Sequence, residues 1–504
     1  MRPVSLQLFA AGGFVLLCAC TDTSNLAPAA PDAPAPFPSS EGATATPAPA
    51  AVAPVKFSIP PNTAVEFPPP AEIDGNRVYG LVELIDIAQR RNPATRVAWE
   101  EARPAAIKVG IAQAAYLPAL TASAFAGYER VAFQLPTNLV PAGFATSNNR
   151  EVVPAVSVKY LLLDFGGRAA TVEEASQLSI AANAEFTTAH QKLIYTVARA
   201  YFILDGANAT VSAAQQGLAG ARVLQESAEA LNRRGLGTVV EVDLARRATA
   251  QAQFDLSQTY TAQKNAMSSL LEAMDLPPTT KLRVASVSGR PLPPRTAHTV
   301  DNVLREALRR WPDLLADVAK LRASDANIAA ARSELLPKIS LGANASVPFW
   351  SMNVDNSPYF TVRQPQGAAI LKLEWPLYDG GLLQNKLKLA ESQRAAAADD
   401  LQGRTDQALR EVALAYDQVQ TGLQQYNAAL ALQTASEAAF RSASDSYKAG
   451  VGTLTDATTA QAGLASARAA VVRAHAQSLI NAAALAFAAG LVTSSADFAR
   501  AAPR

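Results

Sequence analysis

Trp375-Pro376-Leu377-Tyr378-Asp379-Gly380-Gly381 answers, at an offset of 215 positions, to Tyr160-Leu161-Leu162-Leu163-Asp164-Phe165-Gly166. Each stretch ends a run of strand-like residues and opens a run of more than a hundred residues without proline. Working outward, the same offset lays Val197-Ala198-Arg199-Ala200-Tyr201 on Val412-Ala413-Leu414-Ala415-Tyr416, and Gly235-Leu236-Gly237-Thr238 on Gly450-Val451-Gly452-Thr453. Upstream the offset is 219, where Ala88-Gln89-Arg90-Arg91-Asn92-Pro93 meets Ala307-Leu308-Arg309-Arg310-Trp311-Pro312 and Tyr116-Leu117-Pro118 meets Leu335-Leu336-Pro337. The chain is one supersecondary unit written twice, so the unit is read before any single residue.

Proline marks the elements, because inside a helix it removes a hydrogen bond and clashes with the preceding turn. After Pro154 the next proline is Pro277, and after Pro376 it is Pro503; the glycines at 235/237 and 450/452 split these runs into a longer and a shorter helix. Arg168 to Leu231 is 64 residues, about 96 Å of helix. Ala94 to Leu117 and Thr238 to Leu276 are 24 and 39 residues, together about 94 Å end to end. Each half is therefore expected to form one continuous helix beside one stacked pair, a wall of even height, with Pro104 kinking the first short helix. Phe186, Leu193, Val197, Tyr201, Leu204, Val211 and Leu218 recur at steps of three, four or seven. The copy runs Leu401, Ala408, Val412, Tyr416, Val419, Tyr426 and Gln433. Both are coiled-coil seams, interrupted in the first copy by Asn208 and Gln215. A soluble helical bundle explains the seams equally well.

Between the helices lie strand signals: 119–131 and 152–163 joined by about twenty residues, then 338–349 and 368–377. Phe125, Tyr128, Phe133, Phe349, Trp350, Tyr359 and Phe360 sit near their far ends, as an aromatic girdle of outer-membrane strands would. The alternative is a soluble hairpin. After the first twenty residues no stretch of about twenty apolar residues occurs, which excludes a helical span. Four strands cannot close a barrel and open edges do not persist in lipid, so several chains are expected to pool their strands.

The first residues read as an export address: Arg2, an apolar run from Leu6 to Leu17, then Leu17-Cys18-Ala19-Cys20. A lipobox reading makes 1–19 a lipoprotein signal and Cys20 the lipidated residue; a plain secretory signal is the other reading. The segment 20–78, rich in Pro and Ala, cannot bury a core and is expected to be a tether. The repeats occupy 79–295 and 296–492, leaving a tail at 493–504. With 17% charged residues and a net charge of +1, nucleic-acid binding has no electrostatic support. The three histidines, His190, His298 and His475, are far apart, so neither a metal site nor a nucleophile with its base is expected, and no cofactor beyond the Cys20 lipid. No phosphate loop is present, so no enzyme activity is expected.

These features together resemble the TolC-like outer-membrane channel factors of efflux pumps and type I secretion systems. The likeness runs from about Tyr79 to Leu491 and rests on the tandem repeat, the Leu-Pro entries at Pro118 and Pro337, and the exits at Asp164/Gly166 and Trp375-Pro376/Asp379/Gly381. It also includes the Gly-x-Gly-Thr tips followed by an acid. The resemblance implies a homotrimer: a helical coiled-coil tunnel through the periplasm under a 12-stranded β-barrel, four strands per chain. It further implies a periplasmic adaptor and an inner-membrane proton-driven or ABC-type transporter as partners. Tyr447, Gly450, Gly452 and Asp456 match the family's inner hairpin at the periplasmic aperture, and Glu241 takes the equivalent acid position in the outer one. Three-fold symmetry would make Asp456 a carboxylate ring; the other reading is that Asp456 caps its helix. Arg233 and Arg234 either bridge to the neighbouring hairpin or are solvated helix-end cations. The function implied is a passive conduit for small toxic compounds, drugs or metals. A polypeptide outlet of a type I system and a lipid-anchored structural coiled coil are the alternatives.

Overall fold

The computed structural model describes residues 73–137, 143–294, 299–355 and 357–492. Cys20, the signal, the tether up to 72, His298 and the tail from 493 lie outside the described residues.

Two helices of 67 residues dominate, α3 (Gly167–Arg233) and α7 (Leu382–Lys448), each about 100 Å long. Beside them stand α2 (Pro93–Ala114) with α4 (Val239–Ala273), and α6 (Pro312–Ser333) with α8 (Leu454–Ala488). Helix α3 packs against α2, α4, α6 and α8, while α7 packs against α6 and α8. The wall is thus four columns wide: α2/α4, α3, α6/α8, α7. The stacking shows where α4 ends on α2, since Asn92 accepts the N–H of Ala94 at 2.8 Å and donates to the Ala273 carbonyl at 3.3 Å. Helix α2 continues through Pro104 without a break in its assignment.

The seam residues are where the helical period puts them: Leu193, Val197, Tyr201, Leu204, Val211 and Leu218 are buried on α3, and Ala408, Val412, Tyr416 and Val419 on α7. Asn208 and Gln215 face α4, taking hydrogen bonds with Gln263 and Tyr260. Two short helices escape the sequence pattern, α1 (Leu81–Arg91) and α5 (Val300–Arg310). They cover the interruptions in the stacked columns: Leu84, Ile85 and Ala88 of α1 join Leu193 to Leu204 of α3, Leu270 of α4 and Met274 just beyond it in the largest core cluster. The body reaches back to Ile73, which packs on this cluster, and β1 (Val78–Tyr79) pairs in parallel with β4 (Arg283–Val284). The segment after β4 is tied down by polar contacts. The Tyr201 hydroxyl donates to the Ala285 carbonyl at 2.6 Å, Val287 N–H donates to Asp205, and His475 bonds the Arg290 carbonyl at 2.8 Å. Burial pushes the Tyr201 phenol up to about 12, with the Asp205 carboxylate adding to it, so it remains a donor across physiological pH. Tyr201→Phe is expected to cost about 1 kcal/mol, read as a lowered thermal midpoint.

The sheet has four rows but six strands: β2 (Ala119–Gln134), β3 (Phe144–Leu163), β5 (Lys338–Ser346), β6 (Phe349–Val354), β7 (Phe360–Arg363) and β8 (Gln366–Glu374). β3 pairs antiparallel with β2 on one side and with β5 and then β6 on the other, in one register broken only by a bulge between Leu161 and Leu163 at the helical end; β8 and β7 form the last row. This corrects the expected single strands at 338–349 and 368–377. Pro348 and Pro365 lack the N–H that a ladder requires, so each row is interrupted there, and the last row stops at Glu374, before Trp375. The first hairpin is also longer than expected, its strands ending at Gln134 and restarting at Phe144.

Alternation along these registers separates two faces. Below the prolines one face carries Leu120, Ala122 and Ala124 of β2 and Val156 and Val158 of β3. It continues with Ile339, Leu341 and Ala343 of β5 and Leu371, Leu373 and Ala369 of β8. That band is apolar apart from the Tyr160 hydroxyl opposite Leu341, and Leu120, Leu371 and Leu373 are over 60% exposed. The expected aromatic girdle is corrected: Tyr128 and Phe349 share the apolar band's face, whereas Phe125, Phe133, Trp350 and Phe360 alternate onto the other. No described helix is long and apolar enough to cross a membrane.

Candidate functional sites at the junction and the hairpin tips

At the junction, Pro118 and Pro337 each stand one residue ahead of a strand, and the returning rows feed directly into α3 and α7. Two successive left-handed residues make each reversal: Phe165 (φ 51) and Gly166 (φ 93), then Gly380 (φ 71) and Gly381 (φ 87). Glycine adopts this conformation without a Cβ penalty, whereas Phe165 carries about 1 kcal/mol of strain. The aspartate ahead of each turn caps the helix. Asp164 Oδ2 accepts the Arg168 N–H at 2.7 Å; Asp379 accepts from the N–H groups of Gly381 at 2.9 Å and Leu383 at 2.8 Å. Trp375 Nε1 donates to the Leu335 carbonyl at 3.2 Å, fastening the exit of the last row to the end of α6, while Pro376 stays exposed.

Sequence reasoning missed Arg168. Its Nη1 donates to the Leu161 carbonyl at 2.7 Å, its Nη2 to Leu162 at 3.2 Å, and its Nε lies 3.3 Å from Asp164 Oδ2. The guanidinium also sits 4.9 Å from the Tyr116 ring centroid. One part-buried cation therefore joins the end of β3, the start of α3 and the end of α2. The available signal was its charge: a cation in the first turn opposes the helix dipole and so requires specific partners. In the second repeat Leu383 replaces it, and the column is joined instead by Lys386 to Glu334 at 2.9 Å.

At the opposite end the two tips are built alike. Gly235 (φ 74) and Gly450 (φ 75) take the left-handed position after α3 and α7, which lets Leu236 N–H reach the Leu231 carbonyl and Val451 N–H the Ser446 carbonyl. Gly237 and Gly452 then pass close to the ends of those helices. Thr238 and Thr453 cap α4 and α8. Thr238 N–H donates to Glu241 Oε2 at 2.7 Å while Glu241 N–H donates to Thr238 Oγ1 at 3.2 Å. Thr453 Oγ1 donates to Asp456 Oδ2 at 2.7 Å and accepts the Asp456 N–H at 3.1 Å. Within the chain Glu241 thus completes a capping box with Thr238, whereas Thr453 is the cap of α8 and the Asp456 carboxylate engages its hydroxyl.

Tyr447 is buried where the two hairpins meet, among Leu224, Ala228, Ala245, Leu454 and Ala457. Its hydroxyl has no hydrogen-bond partner among the described residues, and burial, then the nearby Glu241 carboxylate, push its pKa up. Arg233 and Arg234 are exposed at the end of α3 and form no ion pair among the described residues. Each hairpin is instead clamped higher up, by Arg246 to Glu229 and by Arg468 to Glu437, both at 3.3 Å. Beyond the caps the tips are apolar: Leu236 is 75% exposed and its counterpart Val451 82%. Val239 and Val240 extend this patch on the first tip. Among the described residues no group of three or more His, Cys, Asp or Glu side chains is placed to hold a metal.

A four-row sheet with one apolar face, mounted on a wall of 100 Å helices, defines a membrane channel subunit. The chain belongs to the outer membrane efflux protein family, whose model matches residues 84–275 and 303–491, one segment in each repeat. Protein CyaE of Bordetella pertussis is 29% identical over 342 residues, 67% of this chain and 69% of that protein. The toluene efflux pump outer membrane protein TtgI of Pseudomonas putida is 27% identical over 348 residues, 66% of this chain and 68% of that protein. The crystal structure of the outer membrane protein VceC from Vibrio cholerae matches with a TM-score of 0.68 at 22% identity, covering 81% of this chain and 96% of that one. The chain is thus an outer-membrane channel factor, its sheet in the outer membrane and its helices in the periplasm.

Proposed function

We propose that three copies of the chain form one conduit that carries small toxic compounds out of the cell. The observation that carries this reading is the pair of open edges on the sheet: β2 on one side and the β7/β8 row on the other have no partner strand among the described residues. An unpaired edge is untenable in lipid, and pairing β2 of one copy with β8 of the next closes twelve rows in a ring. The outer columns of the wall support the same closure, because Trp99 and Ile107 of α2, Phe254 of α4 and Leu389 and Leu414 of α7 are exposed apolar side chains. Lipid on Cys20 would hold the N-terminus at the membrane.

The conduit has no energy source of its own, so its periplasmic end receives cargo from an adaptor and a transporter of the inner membrane, and opens there. The exposed apolar tips at Leu236 and Val451 suit an adaptor. Small toxic compounds are favoured over a polypeptide by the family itself and by the toluene pump relative. A photoreactive residue at exposed Lys448 tests this in cells. Capture of an adaptor with a proton-driven pump is the expected result. Capture of an adaptor with an ATP-driven exporter would move the reading to polypeptide secretion, and capture of periplasmic bystanders alone would overturn the conduit.

A further inference from the structure

The sheet face opposite the apolar band mixes polar side chains such as Thr121, Ser123, Ser157 and Asn344 with Phe125 and Ile370, and its charges are unevenly placed. Lys159 lies opposite Gly342; on the next row of that face toward the helices Lys372 lies opposite Ser340; on the one after, Lys338 lies opposite Glu374. Three lysines from three of the four rows thus converge at the helical end of the barrel. Glu374 is the one described acid on these rows, and it is taken by Lys372 at 2.6 Å. Lys159 and Lys338 are exposed and without an ion pair among the described residues. The acids of this face, Glu151 and Glu129, stand further up, Glu151 opposite Gly127 and Glu129 opposite Asn149. Since the other face is the one that lipid can cover, this face looks into the lumen.

We propose that Lys159, Lys338 and Lys372 make the inner mouth of the barrel prefer anions, so that anionic small compounds pass more readily than cationic ones of the same size. This rests on the trimeric conduit, in which three-fold closure repeats the set around one ring. Rings of basic side chains select anions in pores by raising their local concentration. The lumen of twelve strands is wider than the screening distance of about 8 Å at physiological salt, so the preference is graded and fades as salt rises.

The test is the reversal potential of single channels of the full protein in planar bilayers, under a KCl gradient near 0.1 M. Relative to the unsubstituted channel, K159Q/K338Q/K372Q is expected to lower the chloride-to-potassium permeability ratio by about twofold, while K159R/K338R/K372R leaves it unchanged. K338Q alone, expected to shift the ratio in the same direction by less, carries the test if the triple glutamine variant does not assemble. An unchanged ratio in glutamine variants that still form channels overturns the proposal. Channels absent from the unsubstituted protein itself would overturn the conduit reading beneath it.

Discussion

Replacing Arg168 with alanine is expected to destabilise the protein by about 3 kcal/mol, the low end of the cost of removing one partner of a buried ion pair, since the arginine keeps some access to water. The side chains of Arg168 and Asp164 are 13% and 9% exposed, so the carboxylate left behind has little access to water. The carbonyls of Leu161 and Leu162 lose a donor in the same step. Arg168→Lys keeps the charge but not the fork that serves Leu161 and Leu162 together, so it is expected to restore only part of the loss. Leu383→Ala, at the matching position of the second repeat, removes apolar contacts alone and is expected to cost less than half as much. Thermal unfolding of the purified variants checks all three. Equal midpoints for Arg168→Ala and Leu383→Ala would show that the cation is not what joins sheet to helix.

The contrast between Arg168 and the rest of the junction shows what a sequence can carry. The seams were legible because helix period alone decides which side of α3 faces the wall, and Val197, Tyr201 and Leu204 recur on that period. The tips were legible because Gly-x-Gly-Thr with an acid three residues on specifies a left-handed turn and a cap without outside help. Arg168 was harder to read: Asp164 stands four residues before it, but the carbonyls of Leu161 and Leu162 that its fork also serves carry no mark in the sequence. The same holds for the buried polar groups of α8: Gln461 donates to the Gly217 carbonyl and Asn481 to the Gln418 carbonyl, and a backbone acceptor leaves no mark in sequence. Pro348 and Pro365 were visible yet unused, although a proline within an apparent strand signals an interruption. The short helices α1 and α5 were hidden by their brevity, each stopped where the residue before a proline, Asn92 or Trp311, turns extended.

Tyr447 illustrates a further limit. Its resemblance-based place at the aperture concerns an assembly, whereas within one chain it is a core residue tying the two hairpins together. The orphaned hydroxyl is the part of it that packing does not explain. Asp456 has a comparable double standing: its carboxylate is engaged by Thr453 in the chain, which fixes its position at the tip whatever it does in a ring.

The largest functional loss is expected from L236E/V451E at the tips. Both side chains are more than 70% exposed and lie outside the caps, so the substitutions leave folding within about 0.5 kcal/mol. Against an adaptor the balance is different. A carboxylate pressed into an apolar contact without a partner costs several kcal/mol, and each 1.4 kcal/mol is about tenfold in affinity, so a loss of 100-fold or more is expected. Binding of the adaptor captured at Lys448 to the purified variant measures the affinity, and accumulation of a toxic compound by cells measures the consequence. Thermal midpoints must stay unchanged for the result to speak of docking. Full-strength binding by L236E/V451E would remove the tips from the docking surface and leave the helical flanks to carry it. The milder L236A/V451A keeps the surface neutral and loses contact area alone, so its smaller effect separates lost packing from the desolvation of charge.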